Sequence, residues 1–313
     1  MTILEHMIEH FPIRRTANQK EAFRIWAMGR IADAGYRPKV EGSDKGKHKN
    51  IVAGNPDTAQ VVITAHYDTP GCIGLPNLMI PRNWPVYFLY QALIILILLA
   101  IAFLGGMGFA ALTGKPEMLR VGLLLTYILL MVFLLYGPAN KHNVNDNTSG
   151  VAALLEAMRR IPAEKRSKIA FILFDNEEKG CRGSKAYAKE HLQVQHLRLI
   201  VNLDCVGVGE HFLLSVPKLA RNKEEYELLE RVLAAREGRE VHFFPAATTR
   251  GNSDFRSFKC GVGVSAYHQT PGVGFITGAI HTWRDTETDP ENIVFLAEAL
   301  GEYASLLSSD DQD

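Results

Sequence analysis

The sequence predicts an α/β domain with a mostly parallel central sheet and helices on both faces, into which a two-helix membrane hairpin is inserted. Residues 61–65, 169–174 and 199–203 form largely apolar runs separated by amphipathic stretches, as expected for parallel strands buried on both faces. Two further segments, 83–114 and 121–140, contain no charged residue, and each has the ~20 apolar residues needed to cross a bilayer as a helix.

The composition indicates which binding partners and which cellular compartment to expect. Lysine plus arginine and aspartate plus glutamate each total 34 among 313 residues, so the formal net charge is zero and no basic field predicts nucleic-acid binding. The four cysteines are scattered without a Cys-x-x-Cys pair, which argues against a disulfide framework and a thiolate zinc site. Residues 1–15 lack the uninterrupted apolar region of a secretory signal, so we expect no cleaved export signal and reduced thiols.

Helical spacing of apolar residues and the residues that end helices predict the individual elements. The amphipathic stretch 18–34 ends at Gly35, and the stretch 150–160 is closed by Pro162. Short runs rich in β-formers predict the strands. In chain order we expect a helix at 18–34, strands at 50–53 and 61–65, a helix at 150–160, strands at 169–174, 199–203 and 212–216, a helix at 223–236, a strand at 241–244, a helix at 253–259, a strand at 263–267 and a helix at 290–307.

The two uncharged segments predict a transmembrane helical hairpin at 82–140, which divides the α/β domain into a first part, 1–81, and a second part, 141–313. Core helices normally keep a polar face, and these segments have none, which disfavours the alternative of a hairpin buried in a soluble core or a dimer interface. We expect membrane lipid to contact residues 83–140. Aromatic rings favour the headgroup level, and the outer ends of the pair carry Trp84, Tyr87, Tyr90 and Tyr136.

The charges around the hairpin do not determine its orientation. Arg82 and Lys141 flank the hairpin on the side of the α/β domain, and Lys115 and Arg120 lie in its connector, so the count of positive charges is a tie. The missing secretory signal and the reduced cysteines favour an α/β domain that faces the cytoplasm.

Residues of metal-binding types follow the predicted strands or open the helix after the hairpin. Ligands of open α/β sheets bind outside the carboxyl ends of the strands. His66 and Asp68 follow the strand 61–65 and share one face of an extended chain, so Asp68 can orient the His66 imidazole. The other candidates are Asp146 in a polar turn, Glu177 and Glu178 after the strand 169–174, Asp204 after the strand 199–203, and His281 in a glycine-rich loop.

Each candidate has an ordinary structural explanation when taken alone. A histidine after a strand is more often a hydrogen-bonded structural residue, an Asp-Asn-Thr-Ser-Gly run is usually a helix N-cap, and adjacent glutamates are usually a solvated turn. Together they gather negative charge at one edge of the sheet, where like charges repel unless cations neutralise them. The combination predicts a metal site. The histidines at positions 6, 10, 48, 191, 196, 211 and 242 carry no spacing that suggests metal.

Five short segments occur in an order that is specific to one group of enzymes. They are His66-Tyr67-Asp68, the run Asn145-Asp146-Asn147-Thr148-Ser149-Gly150, Asp175-Asn176-Glu177-Glu178, Asn202-Leu203-Asp204, and His281-Thr282 with Asp285-Thr286. This series resembles the motifs of the aminopeptidase Y and bacterial leucyl aminopeptidase family of di-zinc exopeptidases, metallopeptidase family 28. The resemblance covers roughly residues 61–293 except the hairpin, and it implies a three-layer α/β/α zinc-exopeptidase fold.

The resemblance also implies a role for each candidate. Glu177 would be the general base that takes a proton from a water activated by two metals. Oxygen and nitrogen ligands suit catalytic zinc and would tolerate cobalt or manganese. Asp146 would bridge the two zinc ions, with His66 and Asp204 completing one site and Glu178 and His281 completing the other.

The function expected from this resemblance is a membrane-bound metallo-aminopeptidase, a hydrolase that removes N-terminal residues from short peptides. Within the same fold, the alternatives are a carboxypeptidase-like enzyme and a glutaminyl cyclase, which typically works with one zinc. A non-catalytic membrane scaffold is a further alternative, although a scaffold has no need of a repelling carboxylate cluster. The family usually has a shorter connection between the motifs of His66 and Asp146, so the hairpin is a departure. The hairpin is compatible with a homodimer.

Overall fold

One mixed sheet forms the centre of the fold. The computed structural model describes residues 1–42, 48–75 and 77–308, apart from the side chains of residues 135 and 136. Within these ranges the strands are β1 (Pro38–Glu41), β2 (Asn50–Ala53), β3 (Val61–His66), β4 (Ile169–Phe174), β5 (Leu199–Leu203), β6 (His211–Val216), β7 (Glu240–Pro245), β8 (Gly261–Thr270) and β9 (Gly274–Ile276).

The strand order is β1-β2-β4-β3-β5-β8-β6-β7, and β9 pairs with the end of β8. The four central strands β4, β3, β5 and β8 are parallel, as the apolar runs predict. Antiparallel pairs lie on both sides of this centre: β1 with β2 and β2 with β4 on one side, and β8 with β6 on the other. The outermost pair, β6 and β7, is parallel again.

Helices cover both faces of the sheet. The described helices are α1 (Ile3–His10), α2 (Ala17–Asp33), α3 (Trp84–Thr113), α4 (Leu119–Tyr136), α5 (Gly150–Arg160), α6 (Arg182–Glu190), α7 (Leu192–Leu197), α8 (Glu224–Ala235) and α9 (Pro290–Leu306). Alternate side chains of a strand point to opposite faces. In β4, Phe171 and Leu173 belong to the apolar cluster that contains residues of α1, α2, α5, α8 and α9, while Ile172 and Phe174 belong to the cluster that contains residues of α6 and α7.

The helices α3 and α4 form the expected hairpin, and both are long and apolar enough to cross a membrane. The α/β domain does not enclose them, because only 11% and 6% of their apolar windows are buried. Glycine lets the two helices approach closely: a Cβ atom at Gly122 would lie 2.4 Å from the Cβ atom of Phe109. Among the expected interfacial aromatic residues, the side chain of Tyr136 lies outside the described part of the chain.

The structure corrects one expected helix and adds several short elements. Residues 253–259 do not form a helix; they contain a single 3₁₀ turn, Asp254–Ser257, because one turn between the glycines at 251 and 261 is too short to offset the cost of helix nucleation. The elements α1, β1, α6, α7 and β9 were not among those expected from the sequence. The start of α1 has a recognisable sequence, since Thr2 and Glu5 form a capping box.

Candidate metal centre

Neighbouring parallel strands end at the same edge of the sheet and bring the candidate ligands there. His66 is the last residue of β3 and pairs with Phe174, the last residue of β4. Glu177 and Glu178 follow β4, and Asp204 directly follows β5. The parallel arrangement therefore brings together side chains that are far apart in the sequence, as the positions of the strand ends predict.

Asp146 lies at the centre of the cluster, between two histidines. Its Oδ1 atom lies 3.3 Å from His66 Nε2, and its Oδ2 atom lies 2.9 Å from His281 Nε2. His66 Nε2 is also 3.6 Å from Asp204 Oδ1, and His281 Nε2 is 3.3 Å from Glu178 Oε2. The two oxygens of Asp146 thus face two groups of potential ligands, each completed by one histidine and one further carboxylate.

Two buried aspartates hold the backbone of the segments that carry the ligands. Asp68 accepts hydrogen bonds from the backbone N–H groups of Glu177, at 2.9 Å, and Glu178, at 3.3 Å. Asp285 accepts hydrogen bonds from the N–H groups of Asp146, at 3.0 Å, and of the residue before it, at 2.8 Å. Both aspartates therefore fix the position of candidate ligands through the backbone.

Asp68 also faces His66, as the sequence predicts. Its Oδ1 atom lies 3.6 Å from His66 Nδ1, and its backbone carbonyl oxygen lies 3.2 Å from the same nitrogen. Burial raises the pKa of Asp68, but the hydrogen bond with His66 and the charge of Lys20 outweigh burial and lower the pKa. An ionised Asp68 that accepts a hydrogen bond from Nδ1–H leaves the Nε2 lone pair of His66 free to bind a metal.

Glu177 lies beside both groups of ligands. Burial raises its pKa well above the ordinary value for a glutamate, and the negative charge of Glu178 contributes to that rise. Its Oε1 atom accepts a hydrogen bond of 3.4 Å from the thiol of Cys181. A carboxyl group with a raised pKa, adjacent to potential metal ligands, is suited to accept and return a proton.

The donor set fits a zinc-type cation. Besides two imidazoles it contains several buried carboxylates, and the Oε1 atom of Glu178 has no hydrogen-bond partner among the described residues. Burial raises the pKa of the neighbouring Cys205 thiol well above its usual value. Nitrogen and carboxylate ligands without sulfur are typical of catalytic zinc sites.

A buried cation that the sequence analysis missed lies under the cluster. Arg14 is fully buried, and its Nε and Nη2 atoms donate to the Tyr67 carbonyl, at 2.5 Å, and the Thr148 hydroxyl, at 3.0 Å. Its positive charge favours the ionised forms of Asp68 and Asp146. No local pattern links Arg14 to the cluster, because Tyr67 and Thr148 lie more than fifty positions away in the sequence.

A recess opens beside Asp204. Its lining is largely apolar, and the loop 249–253 forms one wall. Asp254 itself is fully buried beside this wall, and burial raises its pKa to about 7. The apolar lining residues are Met79, Pro81, Leu213, Phe255 and Tyr267.

The first turn of α3, where the hairpin begins, contacts this same loop. The guanidinium carbon of Arg250 lies 3.7 Å from the ring centroid of Tyr87 and 4.3 Å from that of Trp84, the first residue of α3. The backbone N–H of Arg250 donates to the Pro81 carbonyl at 2.9 Å. The loop that forms one wall of the recess is therefore fastened to the beginning of the hairpin.

Comparison with solved structures supports the fold. The glutaminyl cyclase of Porphyromonas gingivalis has a TM-score of 0.60 and 17% identity over 97% of this chain and 95% of its own. The LapA aminopeptidase of Legionella pneumophila has a TM-score of 0.60 and 15% identity over 98% and 70%. A Zn-dependent exopeptidase from Parabacteroides distasonis has a TM-score of 0.57 and 15% identity over 98% and 96%. No curated protein sequence matches the chain.

A sequence-family comparison identifies the chain more closely than these distant structures do. The profile described as Peptidase family M28 matches residues 134–302, which is more than half of the chain. The matched region begins near the end of α4 and contains all the candidate ligands except His66. With this match and the shared fold, the chain belongs to peptidase family M28.

Proposed function

We propose that this metal-dependent peptidase is an aminopeptidase that uses two zinc ions to remove N-terminal residues from short peptides. The division of the ligands into two groups that share Asp146 supports this proposal most directly. One oxygen of Asp146 faces His66 and Asp204, and the other faces Glu178 and His281. His66, Asp204, Glu178 and His281 would hold the two ions with Asp146 between them, and such a pair would supply co-catalytic activation of water and of the substrate carbonyl.

The surrounding residues would divide the chemistry between them. Bound zinc would polarise the scissile carbonyl and lower the pKa of a water molecule. Glu177 would take a proton from that water and deliver it to the leaving amine. Asp68 would hold the backbone of Glu177 in place and orient the ring of His66. The recess beside Asp204 would accept the first side chain of the peptide, and its apolar lining favours an apolar residue.

The hairpin would anchor the enzyme in a membrane with α3 and α4 in contact with lipid. A hydrocarbon core of about 30 Å requires about 20 helical residues, and α3 has 30, so its first turns can remain at the headgroup level. Trp84 and Tyr87 lie in those turns, where they stack under Arg250. This arrangement would place the catalytic cleft beside the bilayer surface. Orientation towards the cytoplasm and dimerisation through the hairpin are further parts of the proposal.

A glutaminyl cyclase is the second candidate, because a protein with that activity in its description is among the similar structures. The two candidates differ in the number of zinc ions that they are expected to use. The ligands of both groups are present here, which favours the two-ion peptidase. A carboxypeptidase-like enzyme would differ from the aminopeptidase in its substrate, because it would release C-terminal residues. A non-catalytic scaffold would show no activity.

Zinc content and amide hydrolysis test the proposal together. Purified wild type and Asp146→Ala would be compared by elemental analysis and by hydrolysis of a panel of aminoacyl-arylamides. We expect the wild type to hold about two more zinc ions per chain than the variant, and only the wild type to show hydrolysis that a chelator abolishes. Asp33→Ala is the matched control, because this carboxylate is 64% exposed on α2.

The other outcomes separate the candidates. A difference of one zinc ion, with cyclisation of N-terminal glutamine in place of arylamide hydrolysis, would support the cyclase. Release of C-terminal residues would support the carboxypeptidase-like enzyme. Equal zinc content in the wild type and Asp146→Ala, without hydrolysis, would contradict both enzymatic proposals.

A further inference from the structure

A second group of metal-binding side chains lies on the outer strands of the sheet, away from the candidate catalytic ligands. His211 is the first residue of β6, and its partner in the parallel pairing with β7 is Glu240, the first residue of β7. His242 follows Glu240 by two positions and therefore points to the same face of β7. His211 and His242 lie 31 positions apart in the sequence, and only the pairing of β6 with β7 brings them together. Their spacing in the sequence therefore gives no sign of a metal site.

Three potential ligand atoms of this group converge on one point. His211 Nδ1 lies 3.1 Å from His242 Nε2 and 3.3 Å from Glu240 Oε2, and His242 Nε2 lies 3.7 Å from Glu240 Oε2. Ligand bonds of about 2.0–2.1 Å in tetrahedral geometry place neighbouring ligand atoms about 3.4 Å apart. We propose that His211, Glu240 and His242 bind a divalent transition-metal ion such as zinc, at a site separate from the catalytic centre.

A neighbouring carboxylate orients His211 for this role. Glu210 Oε1 lies 3.4 Å from the other ring nitrogen of His211, Nε2, and Glu210 Oε2 lies 2.8 Å from His268 Nδ1. When Nε2–H donates a hydrogen bond to Glu210, the Nδ1 lone pair faces the carboxylate of Glu240. Two electron-rich atoms at 3.3 Å require a cation or a donated proton between them, and a carboxylate on the outer nitrogen is the usual support of a histidine ligand.

The surroundings suit a site that is closed on one side and open on the other. The His211 side chain is only 7% exposed, and the ring of Phe275 lies 5.5 Å from the His211 ring and 4.9 Å from the His242 ring. Glu240 is 69% exposed, so a fourth coordination position can be filled by water. The two strands hold the three residues on a rigid frame, which limits the reorganisation that metal binding would require.

A metal ion at this site would link the edge strand β7 to its neighbour β6. The outermost strand, β7, ends at Pro245, and the chain then reaches the loop 249–253 that lines the recess beside Asp204. A metal shared by β6 and β7 would stabilise the strand that leads into this loop. We therefore expect a structural ion, whose loss lowers stability without removing the catalytic zinc ligands.

Metal counting on the full-length protein in detergent tests the site. Each form would be stripped of metal, reloaded with Zn²⁺ alone, freed of excess and analysed for zinc. We expect His242→Ala and Glu240→Ala each to hold one zinc ion fewer per chain than the wild type. Since Glu240 is largely exposed, its replacement is not expected to disturb folding. Glu210→Gln should retain the site with zinc affinity weakened about 10- to 100-fold.

Two further variants serve as controls. His268→Ala removes a histidine that binds Glu210 but is not a ligand, so its zinc content should equal that of the wild type. Asp146→Ala should still hold one zinc ion, which a second substitution, His242→Ala, removes. The proposal is overturned if His242→Ala and Glu240→Ala bind as much zinc as the wild type, or if His268→Ala loses the same ion. These results do not depend on whether the catalytic centre binds zinc.

Discussion

Replacing Asp68 with asparagine tests whether this carboxylate holds the catalytic segment in place. The side chain is 2% exposed and accepts backbone hydrogen bonds from Glu177 and Glu178, one with each oxygen. Asparagine has nearly the same shape but only one oxygen. In Asp68→Asn, the amide NH₂ group must face one of the two N–H donors or the Nδ1 atom of His66.

The size of the effect follows from the bonds that change. A hydrogen bond to a charged acceptor contributes about 1.5–3 kcal/mol, and a buried N–H left without an acceptor costs about 1–3 kcal/mol. We therefore expect Asp68→Asn to lower the free energy of unfolding by about 2 kcal/mol, which corresponds to roughly 4–8 °C in Tm for a domain of this size. Loss of the carboxylate that supports His66 should also weaken zinc binding about 10- to 100-fold.

Thermal unfolding and competition with a zinc chelator would measure the two effects separately. Asp33→Asn is the control: its carboxylate pairs with Arg30 at the surface of α2, and we expect a change within about 0.5 kcal/mol. If Asp68→Asn retained both the wild-type Tm and the wild-type zinc affinity, the backbone hydrogen bonds of Asp68 would not position the ligands, and the reasoning would be refuted.

Three other substitutions test separate parts of the molecule. Glu177→Gln should lower kcat at least 100-fold with unchanged zinc content if this residue is the base, and retained activity would argue against that role. Burial is the main cause of the raised pKa of Glu177, and the charge of Asp254, where that residue is ionised, adds to it. Asp254→Asn should therefore shift the acidic limb of the kcat/KM profile to lower pH, and an unchanged limb would contradict this coupling. Gly122→Leu should destabilise the hairpin by about 1–3 kcal/mol through overpacking. Gly108→Leu, where a Cβ atom meets nothing within 4 Å, should leave the Tm in detergent unchanged, and equal effects of both would exclude tight packing at Gly122.

Sequence reasoning succeeded where burial leaves a clear pattern. The strands β3, β4 and β5 are recognisable because both of their faces are covered, so nearly every side chain is apolar. Their shared edge then predicts that His66 and Asp204 lie near each other, and in the structure their side chains approach to 3.6 Å. The strand ends were therefore sufficient to predict that these two side chains lie together at one edge of the sheet.

The same reasoning could not detect contacts that cross the fold without periodicity. Asp68 is separated from Glu177 by 109 positions. No pattern in either segment shows that the Asp68 carboxylate accepts a hydrogen bond from the backbone N–H of Glu177. Short edge elements are also weakly encoded: in β1 the residues are half-buried or exposed, so the four-residue run has no apolar face to recognise. Pairing with β2 determines its conformation.

The helical hairpin is inserted near the centre of the α/β domain, and both of its ends are tied to the segments around the candidate metal site. At the start, the backbone of Arg250 binds the carbonyl of Pro81. At the end, the backbone N–H of Cys72 donates to the carbonyl of Pro138, and the next residue, Ile73, donates to the carbonyl of His281. Movement of α4 relative to the domain would therefore reach a candidate ligand through a few backbone hydrogen bonds. In the proposed membrane-bound enzyme, these bonds would hold the cleft at a set distance from the bilayer surface, so the hairpin would determine where peptides reach the site as well as where the protein is anchored.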